Sequence, residues 1–161
     1  MDKTMLWGGM FMELVIFRVN GQPYGMKIDY LEGIEAIENV TPVANAPANI
    51  IGIANIRGEV VPVLDLAARF GTRCIAERPQ YLLIRINGEP MCFRVDSVDG
   101  MKVYASEQLM AVPKIVIGAK TQYISSAIKT DMDELGLVIM PEKIVSGDEQ
   151  QTIAEFVSGM Q

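Results

Sequence analysis

The sequence predicts an all-β fold in two small barrels. Three observations carry that prediction: short Val- and Ile-rich runs, turn signals roughly every ten residues, and one internal duplication. Phe17-Arg18-Val19-Asn20-Gly21-Gln22-Pro23-Tyr24 aligns with Ile84-Arg85-Ile86-Asn87-Gly88-Glu89-Pro90-Met91 at a constant offset of 67 residues. The match runs on, with Lys27-Ile28-Asp29 meeting Arg94-Val95-Asp96, and Leu31, Gly33 and Ile34 meeting Val98, Gly100 and Met101. Two halves built alike follow from it.

Taken in order, residues 13–19 form the first strand, and Asn20-Gly21 folds it back on the next. Asn-Gly between apolar runs supplies the positive φ angles of a type I′ hairpin. Asn87-Gly88 does the same in the second half. The 33 Val and Ile residues cluster further at 60–64, 81–86, 115–117 and 137–140, which read as strands. Helical signals are few. Asp65 as N-cap and Gly71 as terminator bracket one or two turns. Asp148 as N-cap, with Gln151 three positions on and Ile153, Phe156, Val157 and Met160 on one stripe, predicts a short amphipathic C-terminal helix. Gly71-Thr72-Arg73 and Glu77-Arg78-Pro79 are the most polar stretch between the halves and set a boundary there. The expected organisation is an extension over 1–12, a first barrel over about 13–75, a second over about 76–146 with strands free to cross between them, and the helix over 147–161.

Composition narrows the function. With 50% hydrophobic residues in 161, the chain buries enough apolar surface to offset its conformational entropy, which excludes general disorder. Fourteen basic residues against twenty acidic ones leave a net charge of -6 and no basic run, arguing against nucleic acid or an anionic membrane surface as partner. The absence of histidine removes the commonest general base and the commonest metal ligand together. Neither a cofactor nor a metal is expected. Cys74 and Cys92 stand in no CxxC arrangement and are expected as reduced thiols. The glycine-broken start lacks a signal-peptide apolar core and no stretch reaches the length of a membrane span, so a cytoplasmic location is expected.

Two motifs fail on chemistry. Gly118-Ala119-Lys120-Thr121 resembles the end of a phosphate loop, but Pro113 stands where the cradle needs its first glycine. Asp131-Met132-Asp133-Glu134-Leu135-Gly136 with Glu142 imitates a calcium loop, yet Leu135 cannot ligate and Pro141 breaks the exit helix. A solvated hairpin turn is the expectation there.

One motif holds. Asn55-Ile56-Arg57-Gly58 followed by Val61-Pro62-Val63-Leu64-Asp65-Leu66, with Thr41-Pro42 and Asn45-Ala46-Pro47 upstream and Val95-Asp96-Ser97-Val98 in the second half, resembles the CheW family of bacterial chemotaxis coupling proteins. The resemblance covers about residues 13–146. It implies two SH3-like five-stranded barrels with a shared hydrophobic centre, and a scaffold without catalysis. Its implied partners are the regulatory domain of the chemotaxis histidine kinase CheA and the cytoplasmic tips of chemoreceptors. In the family a glutamate lies near the signature arginine. Here Gly33 takes its place, so the usual ion pair of Arg57 is expected to be missing unless a register shift lets Glu32 or Glu35 substitute.

Arg57 is the first candidate site residue, since a planar, always-charged guanidinium at an Arg-Gly turn suits carboxylates or carbonyls of a partner. Leu31 and Ile34, with Val98 and Met101 at the equivalent repeat positions, are expected to line an apolar groove between the barrels where a receptor helix could lie. Two other readings compete. One keeps the fold but serves a pilus-motility or other chemosensory-like pathway, and the departure at Gly33 favours it. The other is a small enzyme or ligand-binding barrel using Asp29, Asp96 and Lys27, which would require two convergent carboxylates in one pocket.

Overall fold

Asn20 and Gly21 both lie at positive φ, 49° and 80°, and join β1 (Phe11–Val19) to β2 (Gln22–Lys27) in a two-residue hairpin. Asn87 and Gly88, at 52° and 83°, join β6 (Gln80–Ile86) to β7 (Glu89–Val95) in the same way. A third such turn pairs Arg57 with Gly58, at 54° and 84°, between β4 (Ile50–Ile56) and β5 (Glu59–Asp65). The remaining strands are β3 (Leu31–Glu35), β8 (Ser97–Ala105), β9 (Ile124–Lys129) and β10 (Leu135–Ile139). The structure is a computed structural model that describes residues 10–145. The predicted helix over 147–161 lies outside the described residues.

The ten strands form two five-stranded sheets, ordered β8-β1-β2-β10-β9 and β3-β6-β7-β5-β4. Replacing each strand by its counterpart five places along the chain turns one order into the other, so the duplication is visible in the topology itself. It is also reciprocal. Each leading hairpin, β1-β2 or β6-β7, sits in the sheet built by the last three strands of the other half. The polar stretch between the halves therefore divides the sequence without dividing the sheets. After β2 the chain crosses through the 3-10 turn Ile28–Tyr30 to pair β3 with β6, and after β7 it crosses at Asp96 alone to pair β8 with β1. Parallel ladders join β5 to β7 and β10 to β2.

Alternating side chains explain why so many strands read as unbroken apolar runs: both faces are buried. Leu14, Ile16, Tyr104, Ile128 and Val138 fill one barrel. Ala54, Ile56, Val61, Val63, Tyr81, Leu83 and Cys92 fill the other. The opposite faces of the same strands, including Val15, Phe17, Val19, Leu82, Ile84, Phe93, Val95 and Ile139, meet in a larger core shared between the sheets.

Helical turns are short. Asp65 caps Leu66–Arg69 by accepting from the Ala67 amide at 3.1 Å, and buried Leu66 and Ala67 plug into the shared core. The run 115–117 is not a strand. Pro113 offers no amide hydrogen to a ladder, and the amides of Val116 and Ile117 turn back onto the carbonyls of Pro113 and Lys114, both at 3.0 Å. They form part of a 3-10 turn, Lys114–Val116. The acidic segment 130–134 makes the hairpin turn between β9 and β10.

Candidate functional site

The signature turn is built to present Arg57. Asn55 Oδ1 accepts the Gly58 amide at 3.0 Å, which locks the tip, while Arg57 stands in the left-handed region with two thirds of its side chain exposed. Its Nη2 donates to Glu35 Oε1 at 2.7 Å. The register shift that the sequence left open is present: β3 carries a bulge between Leu31 and Gly33, and Glu35 takes the place of the missing glutamate. Gly33 lies against the pair. A Cβ there would lie 3.1 Å from Arg57 Nη2 and 3.2 Å from Glu35 Oε1. Arg57 and Glu35 border an open cleft of about 450 Å³ that also takes in Glu38, Thr41 and Asn55.

The second barrel answers with inverted charge. Lys102, 67 positions after Glu35, pairs with Asp131 on the β9–β10 turn, the place where the first barrel carries Arg57. Beside this pair, Met101 opens a cleft of about 440 Å³ with Ile16, Arg18, Thr130 and Met132. The two ends thus carry ion pairs of opposite polarity, with Glu35 on the strand and Arg57 on the turn in one, and Lys102 on the strand and Asp131 on the turn in the other.

Leu31 and Val98 pack against the shared core, whereas Ile34 and Met101 are 40% and 55% exposed. They stand on β3 and β8, which belong to different sheets. Met101 borders the second cleft, whose lining does not include Ile34.

Three arrangements escaped sequence reasoning. Arg18 donates to Asp99 at 2.9 Å, to Glu134 at 2.5 Å and to the Gly21 carbonyl at 3.2 Å. Arg85 repeats the pattern with Glu32 at 2.5 Å, Glu59 at 3.8 Å and the Gly88 carbonyl at 2.7 Å. Each arginine ties a hairpin turn to the strand that crosses over and to the opposing hairpin. The signal was present, because Arg18 and Glu32 reappear as Arg85 and Asp99 at the same offset of 67. The third is Arg94, which donates to the signature Asp65 at 2.9 Å and binds β7 to the end of β5.

The proposed catalytic carboxylates do not converge. Asp29 is exposed on its 3-10 turn. Asp96 is buried and fully engaged, accepting from the amides of Asn20, Ile75 and Ala76 at 2.5, 2.6 and 2.6 Å and from Cys74 Sγ at 3.2 Å. Neither cysteine is an activated nucleophile. Burial pushes the Cys92 thiol up to about 12, and burial followed by the bond to Asp96 raises Cys74.

With this geometry in hand, likeness to known proteins can be read. The CheW-like domain family matches residues 13–149. The chain belongs to that family. The chemotaxis protein CheW of Klebsiella aerogenes is 26% identical over 147 residues, covering 88% of this chain and 86% of that protein. The chemotaxis protein CheW of Treponema pallidum is 25% identical over 150 residues, covering 89% and 88%. The crystal structure of the scaffolding protein TtCheW from Thermoanaerobacter tengcongensis superposes with a TM-score of 0.75 at 24% identity, over 87% of this chain and 91% of that one. The all-β architecture is that of a CheW-like domain, and the chain is a chemotaxis coupling scaffold by family. Among the described residues no helix is long and apolar enough to cross a membrane.

Proposed function

We propose that this CheW-like chain couples the histidine kinase CheA, through the kinase's regulatory domain, to the cytoplasmic tips of chemoreceptors, acting without catalysis in the cytoplasm. Arg57 is the observation that carries the reading: a planar guanidinium, two thirds exposed, at the tip of the hairpin that is the family's signature turn. Ile34 on β3 and Met101 on β8 would each supply exposed apolar contact for a receptor helix, while Leu31 and Val98 pack against the shared core.

Paired titrations against the kinase regulatory domain and a receptor tip test this. In Ile34→Asp and Met101→Asp the receptor is expected to lose at least about tenfold in affinity, because a carboxylate left unpaired against apolar surface is costly. Kinase binding should survive, since the reading gives the kinase a separate face. Unchanged receptor affinity in variants with native circular dichroism would move the receptor site elsewhere.

A further inference from the structure

A guanidinium carries five N–H donors, and Arg18 has a partner for each of them. Its Nε donates to Asp99 Oδ2 at 2.9 Å. Its Nη1 donates to Glu134 Oε2 at 3.0 Å and to the Gly21 carbonyl at 3.2 Å, and its Nη2 donates to Glu134 Oε1 at 2.5 Å. Those four meet oxygen. The fifth, also on Nη2, meets the thioether sulfur of Met132 at 3.6 Å, and a thioether is a weak acceptor. Arg85, the counterpart of Arg18 in the repeat, has Glu32 and the Gly88 carbonyl as its hydrogen-bond acceptors and meets no sulfur among the described residues.

Both partners in this contact are placed for chemistry at the sulfur. The Arg18 side chain is only 19% exposed and is held by Asp99, Glu134 and the Gly21 carbonyl, so its last donor stays in position. Met132 stands on the turn between β9 and β10 and, at 73% exposed, is the most open methionine among the described residues. It lines the cleft of about 440 Å³ together with Met101 and Ile16. A thioether open to solvent is oxidised to a sulfoxide, which turns an apolar side chain into a polar one. The sulfoxide oxygen is a much stronger acceptor than the sulfur it replaces.

We propose that Met132 is a site of oxidation by hydrogen peroxide and that Arg18 captures the product. A sulfur lone pair attacks one peroxide oxygen, the O–O bond breaks, and the departing hydroxide takes the proton from the transferred oxygen and leaves as water. The sulfur is oxidised by two electrons and the peroxide is reduced by the same two. The exposed side chain then turns its new oxygen onto the Arg18 hydrogen that had only sulfur to bond, and this fifth bond becomes charge-assisted like the bonds to Asp99 and Glu134. Oxidation thereby ties the β9–β10 turn more firmly to β1 and sets a polar group beside Met101 in the cleft.

The test treats the full chain with rising doses of hydrogen peroxide. Peptide mass spectrometry should show Met132 gaining one oxygen at doses that leave the buried Met26 and Met91 intact. As it does so, the side-chain N–H signals of Arg18 in nitrogen-15 NMR should shift, and their exchange with water should slow at least about threefold. In Met132→Leu, which keeps the bulk and removes the sulfur, the same dose should leave those signals in place. Signals that move alike in both chains, or stay fixed in the parent, overturn the proposal, as does a Met132 that resists doses oxidising Met10, itself 68% exposed. Reduction gives an independent measurement. A methionine sulfoxide reductase should restore Met132 at least about threefold more slowly than Met10, because Arg18 holds the oxygen, and equal rates overturn the capture.

Discussion

Arg57 combines two demands that ordinarily conflict. The first position of its turn needs a positive φ, which costs a non-glycine L residue about 1–2 kcal/mol, yet the residue there is long and charged. Its ion pair with Glu35 is open to solvent on the arginine side, 67% exposed against 22% for the carboxylate, and surface pairs contribute about 0–1 kcal/mol. Folding thus gains little from this arginine. Arg57→Asn is expected to leave the melting temperature unchanged or raise it by a few degrees, because asparagine tolerates the left-handed region, while binding to kinase or receptor falls. A thermal melt beside a titration separates the two. A melting transition that collapses while binding per folded molecule stays normal would show that the residue serves the fold instead.

Asp96 works between elements. It is the single residue joining β7 to β8, its amide donates to the Arg18 carbonyl on β1 at 2.9 Å, and its carboxylate gathers the β1–β2 turn and the segment at 74–76. Burial alone would raise its pKa, but the bonds from Asn20, Ala76, Cys74 and Ile75 outweigh it and hold the carboxyl below its ordinary value. Its folded pKa therefore lies below its unfolded one. The stabilisation is complete above about pH 4 and is lost as pH falls through the folded pKa. Asp96→Asn, which sets an amide NH2 against backbone donors, is expected to cost about 1–3 kcal/mol at pH 7. In urea melts the gap to the parent chain should shrink below pH 4, and a gap constant down to pH 3 would assign the loss to packing. The sequence showed this aspartate as one of a repeated pair, and that repeat argued against catalysis without revealing the structural role. Asp29 and Asp96 share a position in the repeat while only the second meets a linker. Hairpin turns were legible because Asn-Gly encodes its own backbone angles. The Arg57–Glu35 pair was legible only as one of two alternatives, since a bulge shifts register without leaving a mark in apolar periodicity. The run 115–117 was misread as strand for a related reason: β-branched composition reports preference, while a ladder also requires a partner edge.

At the scale of the molecule, reciprocal exchange of hairpins means that neither half closes a barrel alone. Residues 1–78 hold β1 to β5 without the β6-β7 pair on which β3 and β5 assemble, and residues 79–161 lack β1-β2 in the same way. Expressed separately, each fragment is expected to lack a cooperative unfolding transition. Mixed in equal amounts, they should regain the native circular dichroism spectrum and one transition. A fragment that melts cooperatively by itself would show that the exchange is dispensable. The inverted charges at the two barrel ends, Glu35 with Arg57 and Lys102 with Asp131, give this near-symmetric body a direction.

The crossings also have a mechanical meaning. Three residues, Ile28–Tyr30, carry the chain from one sheet to the other in the first half, and one, Asp96, carries it back in the second. Two straps this short, running in opposite senses through a common apolar seam, leave no hinge about which one barrel can swing against the other. A small displacement imposed at one barrel end would then be felt at the other.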